Sequence, residues 1–298
     1  MPPSRLLEAV AAAEQAGFQA FMSSDHFSPW SVRQGQSAFA WSWLGAAMES
    51  TSLPCGVVTA PGQRYHPAIV AQAIGTLGAM YPGRFWAALG TGEASNEHVT
   101  GDRWPPKAVR KARLLECVEV IRALLRGEEV THDGLVRVDR ARVWTRPEEP
   151  PALVGAAVSE ETARWCASWA DGLITVGGPK ANDVARAYRE AGGRGPLRVQ
   201  VHLSWAPTRE EAERIAHDQW RSNVFPPPAC WDIDSVEVFD AVSEHVTPEQ
   251  VAQVVQISHE ISHHIEMLSH YEPFTEIYLH HVGREQLPFV EAFAKALT

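Results

Sequence analysis

Polar side chains follow several short apolar stretches of this chain, and some are suited to moving protons. The pair Asp25-His26 comes just after one such stretch, and Glu93 lies in a glycine-flanked segment after another. A histidine titrates near neutral pH, and burial can raise the pKa of a carboxyl group toward the same range, so the two can act as base and acid. Small residues in the segments after other stretches would let a ring or a phosphate approach the backbone closely. These segments are Val58-Thr59-Ala60-Pro61, Ala156-Ala157-Val158-Ser159 and Thr175-Val176-Gly177-Gly178.

The elements that would position these residues alternate between helices and short apolar strands. Near-continuous apolar strands between helical segments are typical of a parallel sheet that is covered on both faces. No glycine-rich dinucleotide fingerprint follows the first strand, which favours a (β/α)8 TIM-type barrel of the α/β class over a Rossmann sheet. In such a barrel the strand ends and the segments after them meet at one rim. The predicted strands are Phe18–Ser23, Cys55–Thr59, Arg84–Leu89, Ala152–Ala157, Leu173–Val176, Leu197–Ala206 and Glu276–His281.

These are seven strands where a complete barrel has eight, and the chain opens on a helix. The pattern therefore predicts a barrel that lacks its first strand, either because the start codon is assigned late or because another segment takes that place. We expect residues 1–298 to form a single barrel domain with two insertions. An HDGL turn between two alternating β-rich runs predicts a β-hairpin over 129–144. Residues 222–246, rich in proline and aromatic side chains, are expected to form an ordered lid.

Composition excludes several classes of protein. The chain has 298 residues, 26 Lys and Arg against 36 Asp and Glu, and a net charge of −10. It has no run of basic residues that could follow a phosphate backbone, so no nucleic-acid partner is expected. The apolar runs are shorter than the roughly 18 residues that a membrane span needs, so no membrane partner is expected. The four cysteines are widely spaced and are expected to be reduced core residues of a cytoplasmic protein.

Other histidines and their neighbours are expected to have mainly structural roles. The segment from His259 to His263 fits H-E-x-x-H, the helical zinc motif. It lacks a third ligand at the metzincin spacing and is expected to be a polar face of an amphipathic helix, so no metal is predicted. His280 and His281 end the last strand, where alternation sends them to opposite faces. At most one of them points into the barrel mouth, where contact with substrate or cofactor is an open alternative. Residues 64–66 (Arg, Tyr, His) precede a helix and are expected to cap it.

Four segments together resemble a known family: SDHFSPW, RYHPAIVAQAIGTLGAMYPGR, GTGEASNE and WPPKAVRKARLLE. They are similar to the F420-dependent glucose-6-phosphate dehydrogenase branch of the luciferase-like monooxygenase superfamily, from about residue 4 to Gly178. The resemblance implies a flavin-type oxidoreductase that transfers a hydride between a small organic substrate and the deazaflavin F420. The cofactor ring would bind at the C-terminal mouth of the barrel, and the protein would be a homodimer.

The resemblance also implies roles for single residues. His26 resembles the base that takes a substrate proton, Glu93 the acid that serves the cofactor ring, and Trp30 the wall that holds substrate against the ring. Other residues resemble family positions that hold the cofactor or pack beside its ring, and the family also has a non-proline cis peptide behind the ring, in the strand that contains Val57. These cofactor-binding positions are Asp25, Val58, Thr59, Thr91, Gly92, Glu93, Ala157, Val158 and Ser159.

Departures from the family leave alternatives open. Val158-Ser159 stands where the family has a Gly-Gly phosphate loop, and Lys180 is offset by one from a sugar-phosphate-binding lysine, so glucose 6-phosphate is a poor candidate substrate. The ending of the last strand resembles a sister group thought to use FMN, which keeps an FMN-dependent monooxygenase or reductase as an alternative. A barrel that binds flavin without turnover is an alternative from another class.

Overall fold

The computed structural model describes residues 1–297. The strands are β1 (Phe21–Ser24), β2 (Cys55–Thr59), β3 (Phe85–Leu89), β4 (Val130–Asp133), β5 (Arg137–Ala141), β6 (Ala152–Ala156), β7 (Leu173–Val176), β8 (Leu197–Trp205), β9 (Gln256–Ser258) and β10 (Glu276–His281). The helices are α1 (Pro3–Gln15), α2 (Ala40–Ser50), α3 (Pro67–Met80), α4 (Ala94–Glu97), α5 (Lys107–Arg126), α6 (Glu160–Cys166), α7 (Ala181–Glu190), α8 (Arg209–Trp220), α9 (Ala229–Asp232), α10 (Val236–Val242), α11 (Pro248–Val251), α12 (Ile261–Met267) and α13 (Leu287–Leu297).

The large sheet is parallel and runs in the order β1-β2-β3-β6-β7-β8-β10. Its seven strands are the predicted ones, with shifts of up to three residues at their ends. Within residues 1–297 no strand joins the free edges of β1 and β10, so the predicted barrel without a first strand is confirmed, and no other described segment takes that place. Helices α1 and α13 pack against each other outside this gap.

Side chains divide between the two faces of the sheet as alternation requires. In β3, Trp86 and Ala88 point into the barrel, whereas Phe85, Ala87 and Leu89 pack against the helices. Gly56 on the neighbouring strand has to be a glycine, because a Cβ atom there would lie 1.9 Å from the Trp86 ring. The long helix α5 buries a stripe of apolar residues on the sheet, namely Leu114, Val118, Ile121 and Leu125.

An ion pair joins neighbouring strands at the N-terminal end of the barrel. Arg198 Nη2 lies 2.7 Å from Glu276 Oε1, and the Arg198 guanidinium stacks over the Trp86 ring. Tyr278 donates a hydrogen bond of 2.6 Å to the same carboxylate. These side chains fill part of the barrel interior at this end, and Glu276 and Tyr278 also border the open gap between β1 and β10.

The two segments expected as insertions are separate from the large sheet. Strands β4 and β5 pair antiparallel as a hairpin. Residues 222–246 contain α9 and α10, and Asp240 fixes this segment to the loop after β1, since its carboxylate accepts from Ser31 Oγ at 2.8 Å and pairs with Arg33 at 2.6 Å. Among the described residues, no helix is long and apolar enough to cross a membrane.

Candidate active site

A cavity of about 1100 Å³ opens at the C-terminal ends of the strands and continues into the gap between β1 and β10. Its size suits a cofactor together with a small substrate. Ten of the predicted site residues line it: Asp25, His26, Trp30, Val58, Thr59, Thr91, Gly92, Glu93, Ala157 and Val158. Ser159 does not, because its hydroxyl caps α6, accepting from the Thr162 N–H at 3.3 Å and contacting the Thr162 hydroxyl at 3.0 Å.

His26 and Glu93 face each other in this cavity. His26 Nε2 lies 3.8 Å from Glu93 Oε2. The Trp30 ring meets the His26 ring edge-on at 5.4 Å and packs on Phe239 of α10 at the same distance. The strand ends therefore bring together the three residues for which a catalytic role was predicted.

Burial sets opposite protonation states for the two titratable groups. It raises the pKa of Glu93 to about 7, and the nearby negative charge of Glu97 adds to this rise. Burial lowers the pKa of His26 to about 4, and the positive charge of Arg64 lowers it further. At neutral pH the imidazole is uncharged and can accept a proton, while the raised pKa of Glu93 lets its carboxyl group carry a proton that it can donate.

Asn96 holds this pair in place, and its role was not predicted. Its Oδ1 accepts hydrogen bonds from the backbone N–H groups of Phe27 and Ser28 at 2.8 and 3.1 Å. Its Nδ2 donates to Glu93 Oε2 at 3.0 Å. One side chain thus ties the loop that carries His26 to the carboxyl group opposite it.

A buried ion-pair network, the Asp25–Arg64–Glu97 network, lies beside the pair. Arg64 Nη2 lies 3.5 Å from the Asp25 carboxylate, and Arg64 Nε lies 3.5 Å from the Glu97 carboxylate. The side chain of Arg64 is 8% exposed, that of Asp25 1% and that of Glu97 3%. Thr59 and Tyr65 also donate hydrogen bonds to Asp25, at 2.8 and 3.1 Å. The carboxylate of Asp25 and the hydroxyl of Thr59 are therefore engaged with protein partners.

The prediction that Arg64 and Tyr65 only cap a helix is wrong, because both side chains turn inward to Asp25. Only the third residue of that group acts as predicted: the His66 ring caps α3, accepting from the Ala68 N–H at 3.2 Å. The arginine was missed because its acidic partner lies 39 residues earlier in the chain. A buried carboxylate at a strand end needs a cation, and that requirement is the one signal that could have pointed to Arg64.

Gly92 shapes the turn that presents Glu93. Its φ of +78° lies in the left-handed region that favours glycine. A Cβ atom there would lie 3.0 Å from Glu97 Cγ and 3.3 Å from Ala60 Cβ. The glycine therefore allows the chain to turn tightly over the Asp25–Arg64–Glu97 network.

The expectation of a non-proline cis peptide in the strand that contains Val57 is wrong. Among residues 1–297 the cis peptide bond is Pro227–Pro228. Strand β2 is regular because Val57 and Val58 pair in continuous register with β1 on one side and β3 on the other.

Two lysines of α5, Lys107 and Lys111, line the cavity at its rim. Val158 also lines the cavity, and its side chain is 43% exposed. Lys111 Nζ is 3.1 Å from Glu161, and Lys107 Nζ lies over the Trp231 ring at 5.2 Å. Trp231 comes from the 222–246 segment, as does Cys230, whose thiol pKa burial raises to about 12. Cys230 lines the cavity and is not the core residue that was expected.

The two histidines of β10 separate as alternation predicts. His280 points into the cavity and meets His202 of β8, whereas His281 is 3% exposed and stacks on Phe289 of α13. His202 was not singled out from the sequence. Its position within a strand resembles an ordinary core position until the curvature of the sheet is known.

The prediction of one helix through the whole H-E-x-x-H segment is wrong. Residues 256–258 form β9, and α12 begins only at Ile261, so His259 precedes the helix that carries His263. The geometry that lets two histidines share a metal on one helical face is therefore not formed. No group of three or more potential metal ligands occurs among the described residues.

Comparisons with known proteins find similar proteins over most or all of this chain. The family model described as luciferase-like monooxygenase matches residues 1–270. The F420-dependent glucose-6-phosphate dehydrogenase of Segniliparus rotundus is 32% identical over 317 residues, which cover 99% of this chain and 93% of that protein. The F420-dependent hydroxymycolic acid dehydrogenase of Mycobacterium tuberculosis is 36% identical over 226 residues, covering 73% of this chain and 63% of that protein.

A solved structure gives the same picture of the whole fold. An F420-dependent secondary alcohol dehydrogenase, in complex with an F420-acetone adduct, superposes with a TM-score of 0.90 at 26% identity. The match covers 99% of this chain and 94% of that one.

Proposed function

The chain belongs to the luciferase-like monooxygenase family, and from that premise we propose that it is an oxidoreductase that transfers a hydride between coenzyme F420 and a carbon atom of a small organic substrate. The observation that carries the proposal is the pair His26 and Glu93, 3.8 Å apart in a cavity at the barrel mouth, with an uncharged imidazole and a carboxyl group whose pKa is about 7. Relatives that are F420-dependent dehydrogenases support the same reaction.

The cavity fits F420, a flat deazaflavin ring with an anionic phosphate-bearing tail. Apolar side chains of three strands, Val58, Ala156 and Ile174, form one wall on which a ring can lie. Lys107 and Lys111 at the rim supply positive charge for the tail, since their present partners leave the ammonium groups near the surface and Glu161 is itself 74% exposed. When bound, F420 accepts or returns a hydride. We assign Thr91, Gly92, Ala157 and Val158 to the ring and its first tail atoms.

The residues of the chain would handle the protons that accompany this hydride. In the direction of alcohol oxidation, His26 accepts the hydroxyl proton of the substrate, and Glu93 donates its carboxyl proton toward the ring. The aromatic wall of Trp30 holds the substrate carbon beside the imidazole and excludes water.

The two proton transfers support each other. When Glu93 gives up its proton, the carboxylate that forms lies 3.8 Å from His26 Nε2. A negative charge at that distance in a buried site stabilises the imidazolium that forms when His26 takes the substrate proton. The cavity therefore carries no additional net charge during the reaction, which lowers the cost of charging a buried histidine.

An FMN-dependent monooxygenase or reductase remains the alternative within the enzyme class, because the family description names monooxygenases. A flavin-binding barrel without turnover is not supported, since the relatives are oxidoreductases and binding alone requires no proton-transfer pair. The cytoplasmic location and the homodimer stay predictions, the latter to be checked by sedimentation.

The test is an equilibrium titration of the purified protein with F420 and with FMN, followed by tryptophan fluorescence. We expect F420 to bind at least about tenfold more tightly than FMN, about 1.4 kcal/mol in binding free energy. His26→Ala should keep the affinity for F420 and reduce kcat by about 10²- to 10⁴-fold, the contribution of general base catalysis. Tighter binding of FMN, or a His26→Ala variant with full turnover, would contradict the proposal.

A further inference from the structure

Three aromatic side chains from separate elements meet on the wall of the cavity that includes β8 and β10. The rings of His202 and His280 are 5.2 Å apart, and the Trp220 ring lies 4.7 Å from the first and 4.8 Å from the second. All three line the cavity, and we refer to them as the His202–His280–Trp220 cluster. Protonation of His26 would lower the pKa of His280, so the cluster adjoins the proton-transfer pair.

The hydrogen bonds of the cluster leave donors directed at the cavity. Gln200 Nε2 lies 2.9 Å from His280 Nδ1, and because an amide NH₂ group can only donate, Nδ1 is the acceptor and the ring proton lies on Nε2. No hydrogen bond to either ring nitrogen of His202 occurs among residues 1–297. Both histidines are partly exposed and line the cavity, so their imidazole N–H groups are available to a ligand that supplies oxygen atoms.

The cluster carries no positive charge. Burial lowers the pKa of His202 to about 3, and the adjacent His280 contributes to this fall. Burial lowers the pKa of His280 to about 4. The cations that reach the cavity lie elsewhere: the ammonium groups of Lys107 and Lys111 contact Glu161, Trp231 and Trp165, and Arg284 is exposed beside the N-terminus.

An anionic substrate would therefore be poorly accommodated here. A phosphate or carboxylate loses its hydration on entering a cavity, and only a cation or several donors replace that loss. A hydroxyl or carbonyl group loses much less and needs only one or two hydrogen bonds. Trp220 adds an apolar face for the carbon skeleton.

We propose that the His202–His280–Trp220 cluster is the substrate subsite and that it selects uncharged alcohols and their carbonyl products over sugar phosphates and hydroxy acids. The inference rests on the proposed hydride-transfer function and names its substrate class. The alcohol is oxidised by two electrons: its C–H bond gives a hydride to F420, its O–H proton goes to His26, and a C=O bond forms. His202 and His280 donate hydrogen bonds to other oxygen atoms of the same molecule.

The experiment compares pairs of substrates that share a carbon skeleton, such as 1,2-propanediol with lactate and glucose with glucose 6-phosphate, so that the uncharged member also has a second oxygen atom for the cluster. For the wild-type protein loaded with F420, we expect kcat/KM to be at least about 100-fold higher for the uncharged member of each pair. His202→Leu should raise KM for the uncharged alcohol about tenfold with a smaller change in kcat, because it removes ground-state hydrogen bonding. His202→Gln, which keeps a donor, should stay close to wild type.

A gain of function makes the test stringent. His202→Lys places a cation in the cluster and should raise kcat/KM for the anionic member at least about tenfold while lowering it for the alcohol. The control His245→Gln changes an exposed histidine that does not line the cavity and should leave the preference unchanged. F420 affinity, measured by fluorescence without substrate, should be the same in all variants.

The outcomes separate the two proposals. Equal or better use of the anionic substrates by the wild type, or an unchanged KM in His202→Leu, overturns the substrate subsite while the F420 titration still stands. A wild-type protein that does not bind F420 overturns the proposed function and this inference with it.

Discussion

The Asp25–Arg64–Glu97 network, through Asp25 and Glu97, and the His202–His280–Trp220 cluster border the same cavity but differ in how their polar groups are paired. The network buries full charges and pairs them with each other and with Thr59 and Tyr65. The cluster holds uncharged rings and leaves imidazole donors without protein acceptors. The network is almost fully buried, whereas both histidines of the cluster are partly exposed to the cavity.

The difference indicates which polar groups are paired within the protein and which are available to bind a ligand. Charges that would be costly to leave unpaired are paired internally, and the resulting rigid network fixes the loops that carry His26 and Glu93. Its charges also adjust the neighbouring pKa values, since Arg64 lowers that of His26 and Glu97 raises that of Glu93. The cluster can be left incomplete because an unpaired imidazole costs less than an unpaired ion.

The contrast between the two regions is tested most strongly by removing Arg64, the cation of the network. Arg64→Met leaves two carboxylates buried without their partner, and we expect the free energy of unfolding to fall by about 3–5 kcal/mol. Urea denaturation measures this change. The control Arg186→Met removes an arginine whose ion pairs with Asp183 and Glu190 are exposed, and it should cost about 0–1 kcal/mol. Similar losses for the two variants would contradict the contrast.

Asn96 connects the network side of the site to the proton-transfer pair. Asn96→Ala should reduce kcat about 10- to 100-fold with little change in F420 affinity, because the loop that carries His26 and the carboxyl of Glu93 lose a shared support. The hydrogen bond from Asn96 lowers the pKa of Glu93, so its loss should also move the upper limb of the pH–rate profile to higher pH. Asn182→Ala, on the surface of α7, is the control and should change neither quantity. A fall in kcat without movement of the limb would indicate a merely structural role.

The rim lysines should have the smallest effect. Lys107→Ala combined with Lys111→Ala is expected to weaken F420 binding about tenfold, or about 1.4 kcal/mol. Binding of the deazaflavin chromophore without its phosphate-bearing tail should not change. Lys180→Ala, an exposed lysine that does not line the cavity, serves as the control. Equal weakening for the chromophore and for full-length F420 would place the tail elsewhere.

Strands and strand-end residues could be predicted because their signals are local. Short, near-continuous apolar runs between helical segments locate the strands of the barrel, and the rule that active sites lie at strand ends then brings Asp25, His26 and Glu93 to one rim. The apolar stripe of α5 follows from helical spacing in the same way.

The rest depends on contacts between distant segments. From the sequence, Arg64 is only a residue that flanks a helix, and its role is apparent only when the fold places Asp25 beside it. His202 is one position of an alternating strand, and only the curvature of the sheet places it on the cavity wall. Residues 256–258 form a strand although the surrounding apolar spacing is helical, because pairing with β8 outweighs local preference. Local patterns do not contain these tertiary constraints.

The central claim, that Glu93 donates a proton while His26 accepts one, is tested most directly by the pH dependence of F420 reduction by an alcohol. Glu93 must be protonated, so the rate should be level below about pH 7 and fall toward tenfold per unit above it, while His26 stays uncharged down to about pH 4. Glu93→Gln should lower the rate by about 10²- to 10⁴-fold and remove the fall above pH 7. A wild-type rate that is level or rising through pH 7, or a Glu93→Gln variant that keeps the same limb, would contradict the account.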